Sequence, residues 1–191
     1  MADQLRAFLA VDVDRHIREQ AIRVQKALQP ATPGAKWVDP ALCHVTLKFL
    51  GSVRTEQVPA IAAAARRAAE TLPAFGLSFR GIGAFPRWRG ARVLWMGVAE
   101  ASAPLAGLHA AVERALAPLG FEPEDRPFSP HLTLARFKQP PPPALEEVAR
   151  QFEHERFGTV PVRELRLMSS ELRPSGPTYT VLDAFPLREP A

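Results

Sequence analysis

His44-Val45-Thr46-Leu47-Lys48-Phe49-Leu50-Gly51 and, 87 residues later, His131-Leu132-Thr133-Leu134-Ala135-Arg136-Phe137 share one pattern, His-x-Thr-Leu. The chain has 5 histidines, so chance supplies about 0.2 His-x-Thr matches; two in matching apolar context mark a repeated building block. Both runs read as strands. Residues two apart in a strand point to one face. Alternation therefore sets His44 and Thr46 on one face and Val45, Leu47 and Phe49 on the other. His131 and Thr133 likewise oppose Leu132 and Leu134.

Working outward, Leu5 to Val11 alternates as a strand. Asp12 or Asp14 then caps a helix through Ile17, Ala21, Val24 and Leu28. Gln29 to Pro40, with three prolines and a glycine, reads as a loop. The first His-x-Thr strand ends at Gly51. A helix through Val58, Ile61, Ala65, Ala68 and Leu72 follows. Strands at Phe75 to Phe79 and Arg92 to Val98 flank a PRWRG turn. Ser102 and Pro104 open a helix through Leu105, Leu108, Val112 and Leu116. A charged loop leads to the second His-x-Thr strand. Pro143 starts a helix through Leu145, Val148 and Phe152. Strands around Val160 to Leu172 and Thr178 to Phe185 close the chain, with Ser175-Gly176-Pro177 as their turn. Each half thus holds a helix, a His-x-Thr strand, a helix and two strands. The expectation is one compact bilobal domain over residues 1–191, with two interleaved α/β lobes and one motif in each.

The 191 residues, 47% hydrophobic, are enough for a real core and too apolar for a disordered chain. No apolar run approaches the ~18 residues of a spanning helix, and no targeting peptide is read at the N-terminus. The single Cys43 allows no internal disulfide, so a cytoplasmic location is expected. Net charge is +4, with 20 Arg against 4 Lys. Planar guanidinium groups suit phosphate, although a GC-rich genome gives the same ratio, so the charge permits a phosphate-bearing partner without requiring one.

Two imidazoles and two hydroxyls on paired strands can surround one small anion. A neutral His takes a proton from water, a protonated His gives one to a leaving oxygen, and Thr hydroxyls donate to phosphoryl oxygens. That is the equipment for opening a phosphodiester beside a neighbouring alkoxide, without a metal or other cofactor. The remaining motifs carry less. His16 and His154 read as residues of solvated helix faces. His109 and Glu113, at i and i+4, have the spacing of two metal ligands but lack a third, and read as a surface pair. Cys43 faces away from His44. Gly81-x-Gly83 lacks the third glycine of a dinucleotide loop, since Pro86 stands there.

The chain resembles the 2H phosphoesterase superfamily, and within it the RNA 2′,3′-cyclic phosphodiesterases, also called 2′-5′ RNA ligases. The likeness spans LRAFLAVDV, HVTLKFLG, FPRWRGARVLWMGV, SPHLTLARF and LRLMSSELRPSGPTYTVLDAFPL. It implies an α/β (α+β) fold of two pseudo-symmetric lobes, with two antiparallel sheets around a cleft and helices outside. It also implies hydrolysis of RNA 2′,3′-cyclic phosphate ends to 2′-phosphomonoesters; the expected partners are such RNA ends, of tRNA halves or small nucleotides, and the chain is expected to be a monomer. His44 is then the proton donor, His131 the acceptor, and Thr46 and Thr133 bind phosphate; the residue pattern alone does not decide which His is which. Related readings are 2′-5′ ligation at the same phosphate, action on small cyclic nucleotides or 2′-5′ oligonucleotides, and a non-catalytic RNA-end binder.

The family pattern also has an Arg at Arg136, although simple alternation turns it away from His131 and leaves a structural ion pair as the other reading. Phe85, Trp88, Trp37 and Tyr179 are candidates to stack on a base, or to pack the core. Arg87, Arg89 and Arg92 form a cationic group that either tracks an RNA backbone or is a solvated turn.

Overall fold

The N-terminal run Gln4–Asp12 forms strand β1, buried from Ala7 to Val11. Five apolar residues in succession bury because strands flank β1 on both sides and its two faces are covered. A computed structural model describes residues 4–99, 103–173 and 176–189. Asp14 caps helix α1 (Arg15–Leu28), its carboxylate accepting from Ile17 N at 3.0 Å. Ile17, Ala21, Val24 and Leu28 form the buried stripe of that helix, as their spacing predicts.

The stretch expected to be a loop contains a two-residue strand, β2 (Lys36–Trp37), before β3 (His44–Arg54). Gly51 does not end β3. It sits at φ 70° in a bulge, where Ala7 faces Gly51 and Phe8 faces Phe49, and the strand runs on to Arg54. Glycine tolerates that positive φ, so the chain kinks and continues pairing. Helix α2 (Val58–Ala69) stops before Leu72, which packs on the core from the following turn.

Next come β4 (Phe75–Phe85), β5 (Val93–Val98), α3 (Ala103–Leu116), β6 (His131–Arg136) and the short α4 (Ala144–Ala149). Ser102, expected to open α3, lies outside the described residues, as does Ser175 of the last turn. The run expected to be one strand around Val160 to Leu172 is two, β7 (Arg156–Val162) and β8 (Glu164–Arg173), parted at Arg163. No Gly, Asn or Asp marks that break, so periodicity alone reads through it. Strand β9 (Gly176–Pro186) closes the chain.

The strands hydrogen-bond in the order β7-β4-β5-β6-β3-β1-β8-β9, every neighbour antiparallel, and β2 adds to β6. The central junction is slender: β3 and β6 share one paired position, Val45 with Leu132. The two expected sheets are thus two four-strand halves meeting at the His-x-Thr strands. The halves are not the two halves of the sequence, because β8 and β9 return to lie beside β1. Helix α1 packs on β7, α2 on α3, β8 and β9, and α3 also on β3.

One charged pair lies inside this packing. Lys48 of β3 is 2% exposed and donates to Glu113 Oε2 of α3 at 2.6 Å and to Glu122 O at 2.8 Å. Removing one partner of a buried pair leaves an uncompensated charge. Lys48→Ala is expected to lower unfolding free energy by about 3–5 kcal/mol in urea titration, and Lys48→Met with Glu113→Leu to recover most of the loss.

Candidate active site

Both histidines are held the same way. His44 Nδ1–H donates to the Leu42 carbonyl at 2.8 Å, and His131 Nδ1–H to the Ser129 carbonyl at 2.7 Å. A carbonyl can only accept, so Nδ1 carries the proton and each Nε2 is left free to act. Because Val45 pairs with Leu132 in antiparallel sense, His44 stands across from Thr133 and Thr46 across from His131. Both His and both Thr are partly exposed, while Val45, Leu47, Leu132 and Leu134 behind them are buried.

Past the threonines, alternation breaks at the same point in each strand. Leu9 pairs with Lys48 and Ala10 with Thr46, so Leu47 is an extra residue in β3; Leu94 pairs with Ala135 and Trp95 with Thr133, so Leu134 is extra in β6. Each bulge inverts the phase of the residues after it. Lys48 and Ala135 turn inward and are buried. Phe49 and Arg136 turn outward.

Two expectations therefore change. Phe49 does not share the core face: it is 61% exposed and lies 6.1 Å from Phe8, which itself stacks on His44 at 4.9 Å. Arg136 does not turn away, and among the described residues it makes no ion pair; its charge acts on His44, His131 and Tyr179 alike. The bulge in β6 is braced by groups that periodicity did not single out. The Leu134 carbonyl accepts from Val38 N at 2.9 Å and from the buried Gln25 amide at 3.1 Å.

Aromatic rings flank both imidazoles. Tyr179 meets His44 edge-on at 5.2 Å, and Phe85 meets His131 edge-on at 5.0 Å. Trp95 of β5, absent from the sequence-derived candidates, lies opposite Thr133, 6.5 Å from His131 and 5.2 Å from Phe85. The second glycine of Gly81-x-Gly83 explains its placement, since a Cβ on Gly83 would sit 2.3 Å from the Trp95 ring. That ring contact is a role for Gly83 outside any nucleotide loop. Trp88 and Trp37 pack partly buried against the core, with no ring contact to either histidine among the described residues.

Burial lowers both histidines below the usual imidazole value. For His44 the bond to Leu42 and the charge of Asp12 oppose that shift, while Arg136 and His131 add to it. For His131 the bond to Ser129 opposes it and Arg136 adds to it. Asp12 pairs with His44 across β1 and β3 and is held by Arg18 at 2.6 Å and Arg166 at 2.5 Å. These groups, with Tyr179 and Met168, line a cavity of about 190 Å³ beside His44. Burial raises Tyr179 above the usual phenol value. The Cys43 thiol is buried and pushed up to about 12, so it is no nucleophile.

The other histidines stay outside. His16 donates from Nε2 to Phe157 O at 2.9 Å. His154 is exposed in a turn rather than on a helix. His109 and Glu113 are not a surface pair: Glu113 is 12% exposed and bonded to Lys48, and His109 stacks on Phe128 at 4.0 Å. Among the described residues no group of His, Cys, Asp and Glu is arranged to hold a metal ion.

The family model of the 2′-5′ RNA ligase superfamily matches residues 9–173. The chain belongs to the 2′-5′ RNA ligase superfamily. A relative from Archaeoglobus fulgidus, named RNA 2′,3′-cyclic phosphodiesterase, is 40% identical over 95% of this chain and 99% of its own. One of the same name from Methanothermobacter thermautotrophicus is 37% identical over 96% of this chain and all of its own. A crystal structure from Thermus thermophilus matches with a TM-score of 0.79 at 35% identity, covering 97% of this chain and 99% of that one. This superfamily member is an enzyme, a phosphodiesterase with an α/β fold of the 2H type.

Gly83→Ala tests the aromatic wall. Forcing the Trp95 ring aside is expected to cost about 1–3 kcal/mol of stability in urea titration and to change the near-ultraviolet circular dichroism of the indoles.

Proposed function

We propose that this phosphodiesterase opens the 2′,3′-cyclic phosphate at an RNA end to a 2′-phosphomonoester, using His44 as general acid and His131 as general base. The observation that carries the reading is the matched pinning of both imidazoles. Two imidazoles, each with Nδ1 committed to a backbone carbonyl and Nε2 left free, stand on adjacent strands beside the Val45–Leu132 junction, near enough for His131 to act on His44. The names of the Archaeoglobus and Methanothermobacter relatives supply the substrate.

In this mechanism His131 Nε2 takes a proton from water as its oxygen bonds to phosphorus. The bond from phosphorus to O3′ breaks, and His44 Nε2–H protonates the departing oxygen. The 2′ ester survives. Thr46, Thr133 and Arg136 donate to the non-bridging oxygens, where negative charge grows. Two protons move and one bond is exchanged, so the chemistry is complete with these side chains. One charge difference supports this assignment of roles. Asp12 favours the imidazolium of His44, and among the described residues no carboxylate acts on His131, while Arg136 favours the neutral ring at both. Exposed Phe49 supplies a face for the terminal base, and each lobe contributes one motif to the shared cleft. A 5′-hydroxyl of a second RNA in place of water gives 2′-5′ ligation with the same atoms.

His44→Ala and His131→Ala are each expected to lower kcat by roughly 10²–10⁴ on a cyclic-phosphate RNA. Chromatography should find 2′-phosphate product; 3′-phosphate product, or near-normal turnover in either variant, overturns the mechanism.

The pH profile of kcat/KM should be bell-shaped, its limbs belonging to the pair. Both histidines are lowered, so the maximum falls below about 6.5. Arg136 disfavours both imidazolium forms. Arg136→Gln should therefore raise both limbs toward alkaline pH while reducing the maximal rate, and an unmoved profile would remove Arg136 from the site.

A further inference from the structure

Three segments meet at one end of the sheet: 32–38 around β2, 85–98 through the PRWRG turn and β5, and 131–143 through β6. They are neighbours by pairing. Lys36 faces Arg136 across β2 and β6, and Val93 faces Arg136 across β5 and β6. The turn is tied to the end of β6, because Phe137 N donates to Arg92 O at 2.9 Å and the Arg92 guanidinium donates to the Lys138 carbonyl.

These segments contain six cations, Lys36, Arg87, Arg89, Arg92, Arg136 and Lys138, and no Asp or Glu. All six are exposed, and none makes an ion pair among the described residues. The other side of the site differs. There Arg18 and Arg166 are matched to the carboxylates of Asp12 and Glu164. A net charge of only +4 thus conceals a local concentration of unmatched positive charge. The same segments carry partly buried aromatic side chains, Trp37, Phe85, Trp88 and Trp95. The patch begins at Arg136, whose charge reaches both histidines.

Unpaired cations in three neighbouring segments, which also carry aromatic side chains and contain no acid of their own, match a single-stranded polynucleotide. We propose that Lys36, Arg87, Arg89, Arg92 and Lys138 form a docking surface for the phosphodiester backbone of the RNA strand preceding the cyclic phosphate. The enzyme is accordingly built for polynucleotide ends rather than for cyclic mononucleotides. This inference rests on the function proposed above, because it takes Arg136 as the phosphate end of the track.

The test compares 2′,3′-cyclic AMP with a short single-stranded oligoribonucleotide ending in a 2′,3′-cyclic phosphate, across a salt series. A triple variant, Arg87→Gln, Arg89→Gln and Lys138→Gln, is assayed beside the parent. The parent should favour the oligonucleotide in kcat/KM at low salt and lose that advantage as salt rises. The variant should turn over 2′,3′-cyclic AMP normally, lose roughly 10-fold on the oligonucleotide, and show a log–log salt slope shallower by about 1–2. Equal use of both substrates by the parent overturns the docking surface and leaves the hydrolytic reading intact. An equal loss on both substrates in the variant also overturns it.

Fluorescence anisotropy with the same oligonucleotide ending in plain hydroxyls separates binding from catalysis. Salt-dependent binding that the triple variant loses supports the surface even if turnover fails and the hydrolytic reading falls. Binding that is absent, or unchanged in the variant, overturns the surface even if turnover succeeds.

Discussion

One extra residue in each of two strands governs the site. Leu47 and Leu134 occupy the same place in their motifs, and each inserts into its ladder without a partner. A strand without the bulge would send Phe49 and Arg136 into the core and bring Lys48 and Ala135 up beside the histidines. With it, an exposed aromatic ring and an exposed guanidinium join the imidazole–hydroxyl face, and the small or neutralised side chains go inside. The repeat therefore extends over six residues, and its last member differs between the copies.

That difference is what a repeated scaffold needs in order to do asymmetric chemistry. The pinning of the imidazoles is the same on both sides, down to a carbonyl two residues upstream. The surroundings are not. Asp12 faces His44 where Gly97 faces His131, and Phe49 stands where the other copy has Arg136. Acid and base are two states of one side chain, so the division of roles proposed for the two histidines draws on neighbouring charge. Lys48 and Ala135 continue the contrast inside. Only the first copy spans into α3 through a buried ion pair, and that pair also holds the Glu122 carbonyl in the loop leading to His131.

Charge is organised on the same division. Around α1 and β8 guanidinium groups are spent on carboxylates that stiffen the wall behind His44. Around β2, β5 and β6 they are left to solvent. Screening at physiological ionic strength extends about 8 Å, so such a patch acts only on a strand that runs across it. This suits a substrate that continues away from the reacting phosphate.

The four side chains proposed to carry the chemistry were legible in the residues alone. A period of two joins His to Thr whatever surrounds them, and one tetrapeptide found twice made the four polar groups legible, as the stripe of α1 and its Asp14 cap were. Periodicity failed where a single residue shifts it: Phe49 was read as core, Arg136 as facing away, and β7 with β8 as one strand. Only the tertiary structure decided those points, because a bulge exists in the pairing of two strands and leaves no mark in either one alone. The same holds for Trp95, whose ring is placed by the missing side chain of Gly83, and for the six cations, drawn from three segments far apart in the chain. Their nearness is a property of strand order, which local spacing does not encode.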